Sequence, residues 1–325
     1  MLVTHYAVSA LILAMIIDRI LGDPDWLWSA IRHPVVVFGN AIGTLDRILN
    51  GPDLPDDRRR RNGFVALAIL AGGSALAGLG LAIAFQAVHF GWIAETALVA
   101  VLLAQKSMLD HLLPVIKALR DGDIASARQA VSRIVGRNVE QLGQSGISRA
   151  AIESAAENFS DGVIAPAFWY LVLGLPGLFV YKMVNTADSM IGHRNETYLQ
   201  FGFAAARLDD FLNFVPARLA ALLITLVAPL QGGSVFDTAH VVARDASSHA
   251  SPNAGWPEAA MAGAIDIALG GPRSYGDRTL DAPWLNVDGE HDLSWTDVGA
   301  AMHAVETAWF IALIALVATQ IAQVI

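Results

Sequence analysis

Residues 153–162 read ESAAENFSDG, residues 182–195 read KMVNTADSMIGHRN, and residues 207–218 read RLDDFLNFVPAR, all within the stretch from Glu153 to Arg218. Drawn at 100° per residue, Glu153, Ser154, Glu157, Asn158, Ser160 and Asp161 fill one half of a helix, with Ala151, Ile152, Ala155, Ala156 and Phe159 opposite. The second piece groups Lys182, Asn185, Thr186, Asp188, Ser189 and His193 against Met183, Val184, Ala187, Met190 and Ile191. A solvated helix face is normally rich in Lys, Glu, Arg and Gln. Here the polar residues are mostly short ones that compete with the backbone for hydrogen bonds. The two amphipathic faces therefore read as a site in preference to a water-facing surface.

Working outward, the chain has 325 residues, of which 54% are hydrophobic and 16% charged, a composition more apolar than that of a soluble domain. A membrane protein is the expectation. Cysteine is absent, which excludes disulfides and thiolate metal sites. The formal net charge of −9 argues against a nucleic-acid partner.

Val3 to Ile17 is apolar and is followed by Asp18 and Arg19, the reverse of a signal peptide, so it reads as a retained first span with its N-terminus outside. Arg58 to Arg61 stand directly before the charge-free run Phe64 to Phe85 and mark the cytoplasmic side. In that run Gly72, Gly73, Gly78 and Gly80 offer close helix packing. Asp123 reads as an N-cap for an amphipathic helix carrying Ile124, Ala127, Val131 and Ile134, and Arg133 and Arg137 share a face. Trp26, Trp28 and Trp92 fit an interfacial aromatic belt.

Residues 163–184 are long enough to span, yet their middle reads GLPG (174–177), which costs helix stability and suggests a turn. The segment either crosses or folds back as a re-entrant hairpin, and the hairpin is preferred. The expected fold is thus an all-α polytopic integral membrane protein, a single domain over 1–325 with four to six membrane segments and amphipathic helices carrying the polar site. The segments are 3–20, 64–85, 92–113, 163–184, 215–230 and 305–325, with polar loops at 22–62, 114–162, 185–214 and 231–304. No internal repeat is evident, which argues against a transporter built from duplicated halves.

Glu153, Glu157, Asp161, Asp188, Asp209 and Asp210, with Asn158 and Asn213, offer the oxygen donors that suit Mg²⁺ shared with substrate phosphates. Lys182, Arg207 and Arg218 in the same stretch supply the cations a nucleotide-dependent transfer needs. Neither GxxxxGK[ST] nor GxGxxG occurs, and LGGP (269–272) reads only as a turn. His33 and His193 read as structural histidines rather than bases.

The blocks DRILGDPDW with HPV, RIVGRN, ESAAENFSDGVIAPAFW, YKMVNTADSMIGHRN, RLDDFLNFVPARL and SPNAGWPEAAMAGA with LGG, in that order, resemble the CobD/CbiB family of adenosylcobinamide-phosphate synthases. The resemblance implies a protein of the bacterial inner membrane with a cytoplasmic active site. It would join (R)-1-aminopropan-2-ol, or its O-phosphate, to the propionate of adenosylcobyric acid at the expense of ATP, among membrane lipids and other cobalamin-pathway proteins. On that implication Glu153, Glu157, Asp161 and Asp188 are assigned to Mg²⁺ and ATP, and Asp209 and Asp210 to a further metal contact or the amine-deprotonating base. Lys182, counted with the catalytic groups, would hold nucleotide or aminopropanol phosphate together with Arg207 and Arg218. Asn158, Asn185, Ser189 and Asn213 orient substrate, and Asp23, His33, Ser251 and Asn253 frame the corrinoid. The alternative is a membrane sensor of the related AmpE type without synthase activity, and a corrinoid transporter ranks third.

Overall fold

The structure, a computed structural model, describes residues 6–24, 28–29, 32–136, 138–275, 278–280 and 282–324. Trp26 and Arg137 lie outside the described residues. In chain order the helices are α1 (Ala7–Leu21), α2 (Pro34–Leu49), α3 (Asp56–Gln86), α4 (Gly91–Leu102), α5 (Gln105–Arg120), α6 (Ile124–Val131), α7 (Gln144–Phe159), α8 (Ala165–Ile191), α9 (Phe203–Leu212), α10 (Phe214–Val227), α11 (Val235–Asp245), α12 (Gly255–Ala264) and α13 (Trp295–Val324). A π-turn, Ser160–Ile164, joins α7 to α8. Between α12 and α13 lie the short strands β1 (Leu269–Gly270), β2 (Arg273–Tyr275), β3 (Arg278–Leu280) and β4 (Trp284–Leu285), with β1 antiparallel to β4 and β2 to β3.

Among the described residues five helical runs are long and apolar enough to cross a membrane: Asp56–Gln86, Gly91–Arg120, Gln144–Ile191, Phe214–Gln231 and Trp295–Ala322. This is an all-α polytopic membrane protein. Phe64, Val65, Ile69, Leu76 and Ile83 of α3, and Phe310, Ile314, Val317 and Ile321 of α13, are exposed, as lipid-facing residues should be. The segments read as polar loops are largely helical: α2 lies within 22–62, and α11 and α12 within 231–304. The segment expected to run unbroken over 92–113 is interrupted at Leu103, whose extended backbone (φ −86, ψ 162) ends α4.

The chain falls into two compact units, where the sequence reading treats it as one domain. The first comprises residues up to Ala104, Ala165–Asn213 and the stretch from Thr319; the second comprises Gln105–Ile164 and Phe214–Ala318.

In the first unit α3 begins with Asp56 and Asp57, whose carboxylates favour the positive end of the helix dipole. It packs along α8, and of the four glycines singled out in the sequence only Gly78 meets a neighbour closely. A Cβ there would fall 2.8 Å from the Leu175 carbonyl oxygen, whereas Gly72, Gly73 and Gly80 face open space. Glu95 of α4 is buried and accepts hydrogen bonds from the hydroxyls of Tyr6 (2.9 Å) and Tyr170 (2.8 Å). Two donors meeting one carboxylate tie the start of α1 and the first half of α8 to α4.

The fold-back at GLPG is present. Gly174 has φ 66 and ψ −154, a conformation open to glycine and nearly closed to residues with a Cβ. On either side of it, Ala165 packs in one cluster with Tyr181, Val184 and Leu212, and Trp169 lies against that cluster. In an unbroken helix Ala165 and Val184 would be about 28 Å apart. The halves of α8, 165–173 and 175–191, therefore form a helical hairpin.

In the second unit α5 packs on α6, both pack on α7, and α12 packs against α7, α10 and α11. Asp123 caps α6, accepting the Ser126 N–H at 3.0 Å, as its position in the sequence suggests. The side chain of Asn286 donates to the carbonyl oxygens of Ala262 and Ile267, both at 3.2 Å, and its N–H donates to Asp245 Oδ2 at 2.7 Å. These bonds fasten the strands to α11 and α12. Burial would raise the Asp245 carboxyl, but the Arg244 guanidinium, at 2.7 and 2.8 Å, and the Asn286 N–H hold it below the usual carboxylate range.

The cysteine-free chain makes the hairpin directly testable. The pair Ala165→Cys and Val184→Cys should form an intramolecular disulfide on mild oxidation in membranes, seen as a mobility shift reversed by reductant. Gly174→Ala should lower stability by about 1–3 kcal/mol and weaken that crosslink.

Candidate active site

Two constellations gather the candidate residues, one in each unit. In the first unit Asp209, buried on α9, accepts hydrogen bonds from Asn185 Nδ2 (3.3 Å) on α8 and Asn213 Nδ2 (2.9 Å). Asn213 is itself held by the hydroxyl of buried Tyr181 at 2.9 Å. Burial first, and then the neighbouring charge of Asp188, outweigh the two amide donors and push the Asp209 carboxyl up to about 7. Asp210 is raised as well, by burial, against the pull of Arg207 and Arg194; the Arg207 guanidinium lies 3.6 Å from it. The hairpin and α9 thus assemble Asn185, Asp188, Arg207, Asp209, Asp210 and Asn213.

The remaining candidates of this unit are placed differently. Ser189 Oγ donates to the Asn185 carbonyl at 3.0 Å and Thr186 Oγ1 to that of Lys182 at 2.6 Å, so both hydroxyls turn back onto their own helix. Lys182 lies on the same half-buried stretch of α8. Asp23 and His33 pair at 3.4 Å, while His33 Nδ1 accepts the Val35 N–H and caps α2. That capping bond is the structural part the sequence assigns to His33. His193 bears electrostatically on Asp188.

The loop into α9 is pinned by the arginine run. Arg59 donates to Asn50 Oδ1 (2.9 Å) and to the carbonyls of Glu196 (3.1 Å) and Thr197, and Arg60 sits 3.9 Å from the centre of the Phe203 ring. The Asp209 constellation accordingly lies on the helix that follows the segment held by Arg59 and Arg60.

In the second unit a cavity of about 310 Å³ opens between α7, α12, the turn preceding α12 and residues 134–136. Glu153, Ser154 and Glu157 line it from α7, and Glu258 lines it from α12. Glu153 and Glu258 are only 6% and 3% exposed, whereas Glu157 is exposed. The N–H of Gly270 donates to Glu153 Oε1 at 2.9 Å, so LGG is more than a turn. Ser154 Oγ donates to the Ile134 carbonyl at 2.7 Å.

The SPN turn forms one wall. Ser251 Oγ accepts the N–H groups of Asn253 (3.2 Å) and Ala254 (3.1 Å), and its own N–H donates to His249 Nδ1 at 3.1 Å. His249 Nε2 lies 3.7 Å from Glu258 Oε2. Arg218 donates to Asn253 Oδ1 (3.0 Å) and to the carbonyls of Phe214 and Pro252, and stacks on the rings of Phe214 and Trp256. Its donors hold the turn. Asn158 donates to Ser154, and Asp161 sits in the π-turn; neither lines the cavity.

Sequence reasoning missed His249 and Glu258. Glu258 carried a signal, a lone acid inside the alanine-rich run of α12; His249 is recruited by a turn and had none. Of the proposed magnesium quartet, Glu153, Glu157 and Asp161 belong to one unit and Asp188 to the other. Among the described residues no three His, Asp or Glu side chains are grouped to hold a metal ion.

A family model described as CobD/Cbib protein matches residues 11–305, which include every residue named in these two constellations. The chain belongs to the CobD/Cbib family. It is 52% identical over 295 residues to a Sinorhizobium protein named cobalamin biosynthesis protein CobD, covering 90% of this chain and 91% of that one. The protein of that name from Brucella suis is 50% identical over 293 residues, covering 89% and 90%, and the one from Rhodobacter capsulatus is 48% identical over 278 residues, covering 86% of each. No solved structure matches the chain.

The raised Asp209 carboxyl has a measurable sign. Between its ordinary value of 3.8 and about 7 the folded protein binds a proton that the unfolded chain does not, so stability falls as pH rises through that window. The melting temperature in detergent should drop between pH 5 and pH 8, and Asp209→Asn should flatten that part of the profile. Parallel profiles would remove the assignment.

Proposed function

We propose that this chain is an acid–amine ligase of cobalamin biosynthesis. It joins (R)-1-aminopropan-2-ol, or its O-phosphate, to the propionate of adenosylcobyric acid in an ATP-dependent reaction, giving adenosylcobinamide or its phosphate. The observation that carries the reading is a set of buried carboxylates and carboxamides fixed at two places in an otherwise apolar helical chain, in a family whose relatives are named for cobalamin biosynthesis.

The chemistry asks for these groups. A carboxylate is inert to amines at neutral pH until its oxygen is phosphorylated or adenylated, which needs a neutralised polyphosphate and a base for the incoming ammonium. Mg²⁺, when bound with ATP, would supply the charge neutralisation. The pair that fits it is Asp188 with Asp209, two carboxylates whose mutual repulsion a divalent cation would relieve, with waters and phosphate oxygens completing the shell. This replaces the quartet drawn from the sequence. Asn185 and Asn213 orient Asp209, and that double grip suits a fixed ligand better than a proton carrier. Arg207, 3.6 Å from Asp210, and the half-buried Lys182 would meet nucleotide charge.

Arg58 to Arg61 read as cytoplasmic, and Arg59 holds the loop that leads to α9. The Asp209 constellation then opens to the compartment that contains ATP, in a protein of the bacterial inner membrane.

Full-length protein in lipid, incubated with adenosylcobyric acid, ATP, Mg²⁺ and either amine, should give a product heavier by the amine minus water and dependent on ATP, read by mass spectrometry. No product from either amine with a folded sample would overturn the proposal, and bound ATP without turnover would point to the sensor. Asp188→Asn should cut the rate at limiting Mg²⁺ by about 100-fold or more and raise the Mg²⁺ needed for half-activity.

A further inference from the structure

We infer that Arg58 and Arg61, at the start of α3, form a binding site for the phosphate headgroup of an anionic phospholipid. The site lies wholly within the first unit and is independent of the ligase reading. Drawn at 100° per residue, Arg58, Arg61, Val65, Ile69, Leu76 and Ile83 fall within about 80° of one another around α3. All six are exposed, and the last four belong to the face that meets lipid tails. The two guanidinium groups therefore continue the lipid-facing stripe past its apolar end. Arg59 and Arg60 leave that stripe. They fall toward the side of buried Gly63, Ala66 and Leu70, where Arg59 engages Asn50, Glu196 and Thr197 and Arg60 the Phe203 ring.

Depth agrees with direction. The charge-free run Phe64 to Phe85 makes about 33 Å of helix, close to the roughly 30 Å of a bilayer's hydrocarbon, so the hydrocarbon begins at Phe64. Outside it the headgroup layer is about 5–8 Å deep. Arg61 stands about 4.5 Å and Arg58 about 9 Å beyond Phe64 along the axis. One arginine lies inside the headgroup layer and the other at its outer edge. Helical side chains lean toward the N-terminus, which here carries both guanidinium groups away from hydrocarbon and into the phosphates.

Neither guanidinium is engaged by another described side chain. The nearby acids are Asp53, Asp56 and Asp57, all exposed. Asp57 stands four residues before Arg61, a spacing that allows an ion pair, yet the two are not paired among the described residues. A lipid phosphate at this depth meets two guanidinium forks one helical turn apart, the donor geometry that phosphate oxygens accept best. In a zwitterionic lipid the phosphate already has its own cation. An anionic lipid has none, so the pair favours it, by roughly fivefold for each arginine.

The test is native mass spectrometry of the full-length protein released from bilayer discs that contain equal amounts of phosphatidylglycerol and phosphatidylcholine with matched acyl chains. Wild type should retain more phosphatidylglycerol. Arg58→Gln and Arg61→Gln should each lower the ratio of the two retained lipids roughly fivefold, and the double variant should lower it further. Arg133→Gln removes the same charge from an exposed position after α6 and should leave the ratio unchanged. Melting temperatures in phosphatidylcholine check that each variant is folded, and the single variants decide if the double variant is not.

A wild-type ratio in the folded arginine variants would overturn the inference, and so would an equal loss in Arg133→Gln, which would make the preference one of net charge. Inorganic phosphate added to the discs should displace no more phosphatidylglycerol than chloride at the same ionic strength. Displacement by phosphate alone would mark a site for the free anion and overturn the lipid assignment. None of these outcomes bears on whether the chain makes an amide, so the ligase reading stands or falls separately.

Discussion

A carboxylate inside an apolar helical chain persists only where donors are brought to it, and this requirement organises the molecule. Glu95 is met by the hydroxyls of Tyr6 and Tyr170, Asp209 by the amides of Asn185 and Asn213, and Glu153 by the backbone N–H of Gly270. Each acid recruits at least one donor from another segment of the chain, 24 residues away for Asp209 and Asn185 and 117 for Glu153 and Gly270. Satisfying the acids and assembling the sites are therefore one problem, and helices that would otherwise be held by apolar packing alone gain a defined register.

The Gly174 hairpin serves the same end in the first unit. By folding α8 back on itself it sets Tyr181 and Val184 against Ala165 and Leu212, and it directs Asn185 and Asp188 toward α9. A straight α8 would put Ala165 and Val184 about 28 Å apart and leave α9 without that partner. Arg59 at the start of α3 completes the arrangement by gripping the loop at Glu196 and Thr197, so a charge that reads as a topology signal in the sequence also acts as a structural clamp.

Much of this was legible in the chain itself. The two amphipathic faces of 153–161 and 182–193 pointed to the polar constellations, the Asp123 cap was correctly placed, and GLPG announced the turn because glycine and proline there carry a local cost that only a break relieves. Less legible was whatever depends on non-local pairing. Glu258 is shielded by alanines in sequence and faces Glu153 and Glu157 only through the packing of α12 on α7. His249 gains its part from a turn, and Arg218, which the sequence offered as a phosphate clamp, spends its donors on Asn253 and Pro252. The helices within the polar segments escaped for a related reason: their apolar stripes are narrow, and span-length hydropathy averages them away.

In the proposed ligase reaction the propionate carboxylate is activated at the expense of ATP before the amine attacks. The most direct measurement follows oxygen: adenosylcobyric acid carrying ¹⁸O in that carboxylate is turned over with ATP, and the phosphate and AMP released are analysed by mass spectrometry. One ¹⁸O per amide formed should appear in phosphate or in AMP. Amide formed with no label in either, or label retained entirely in the corrinoid and water, would contradict the account.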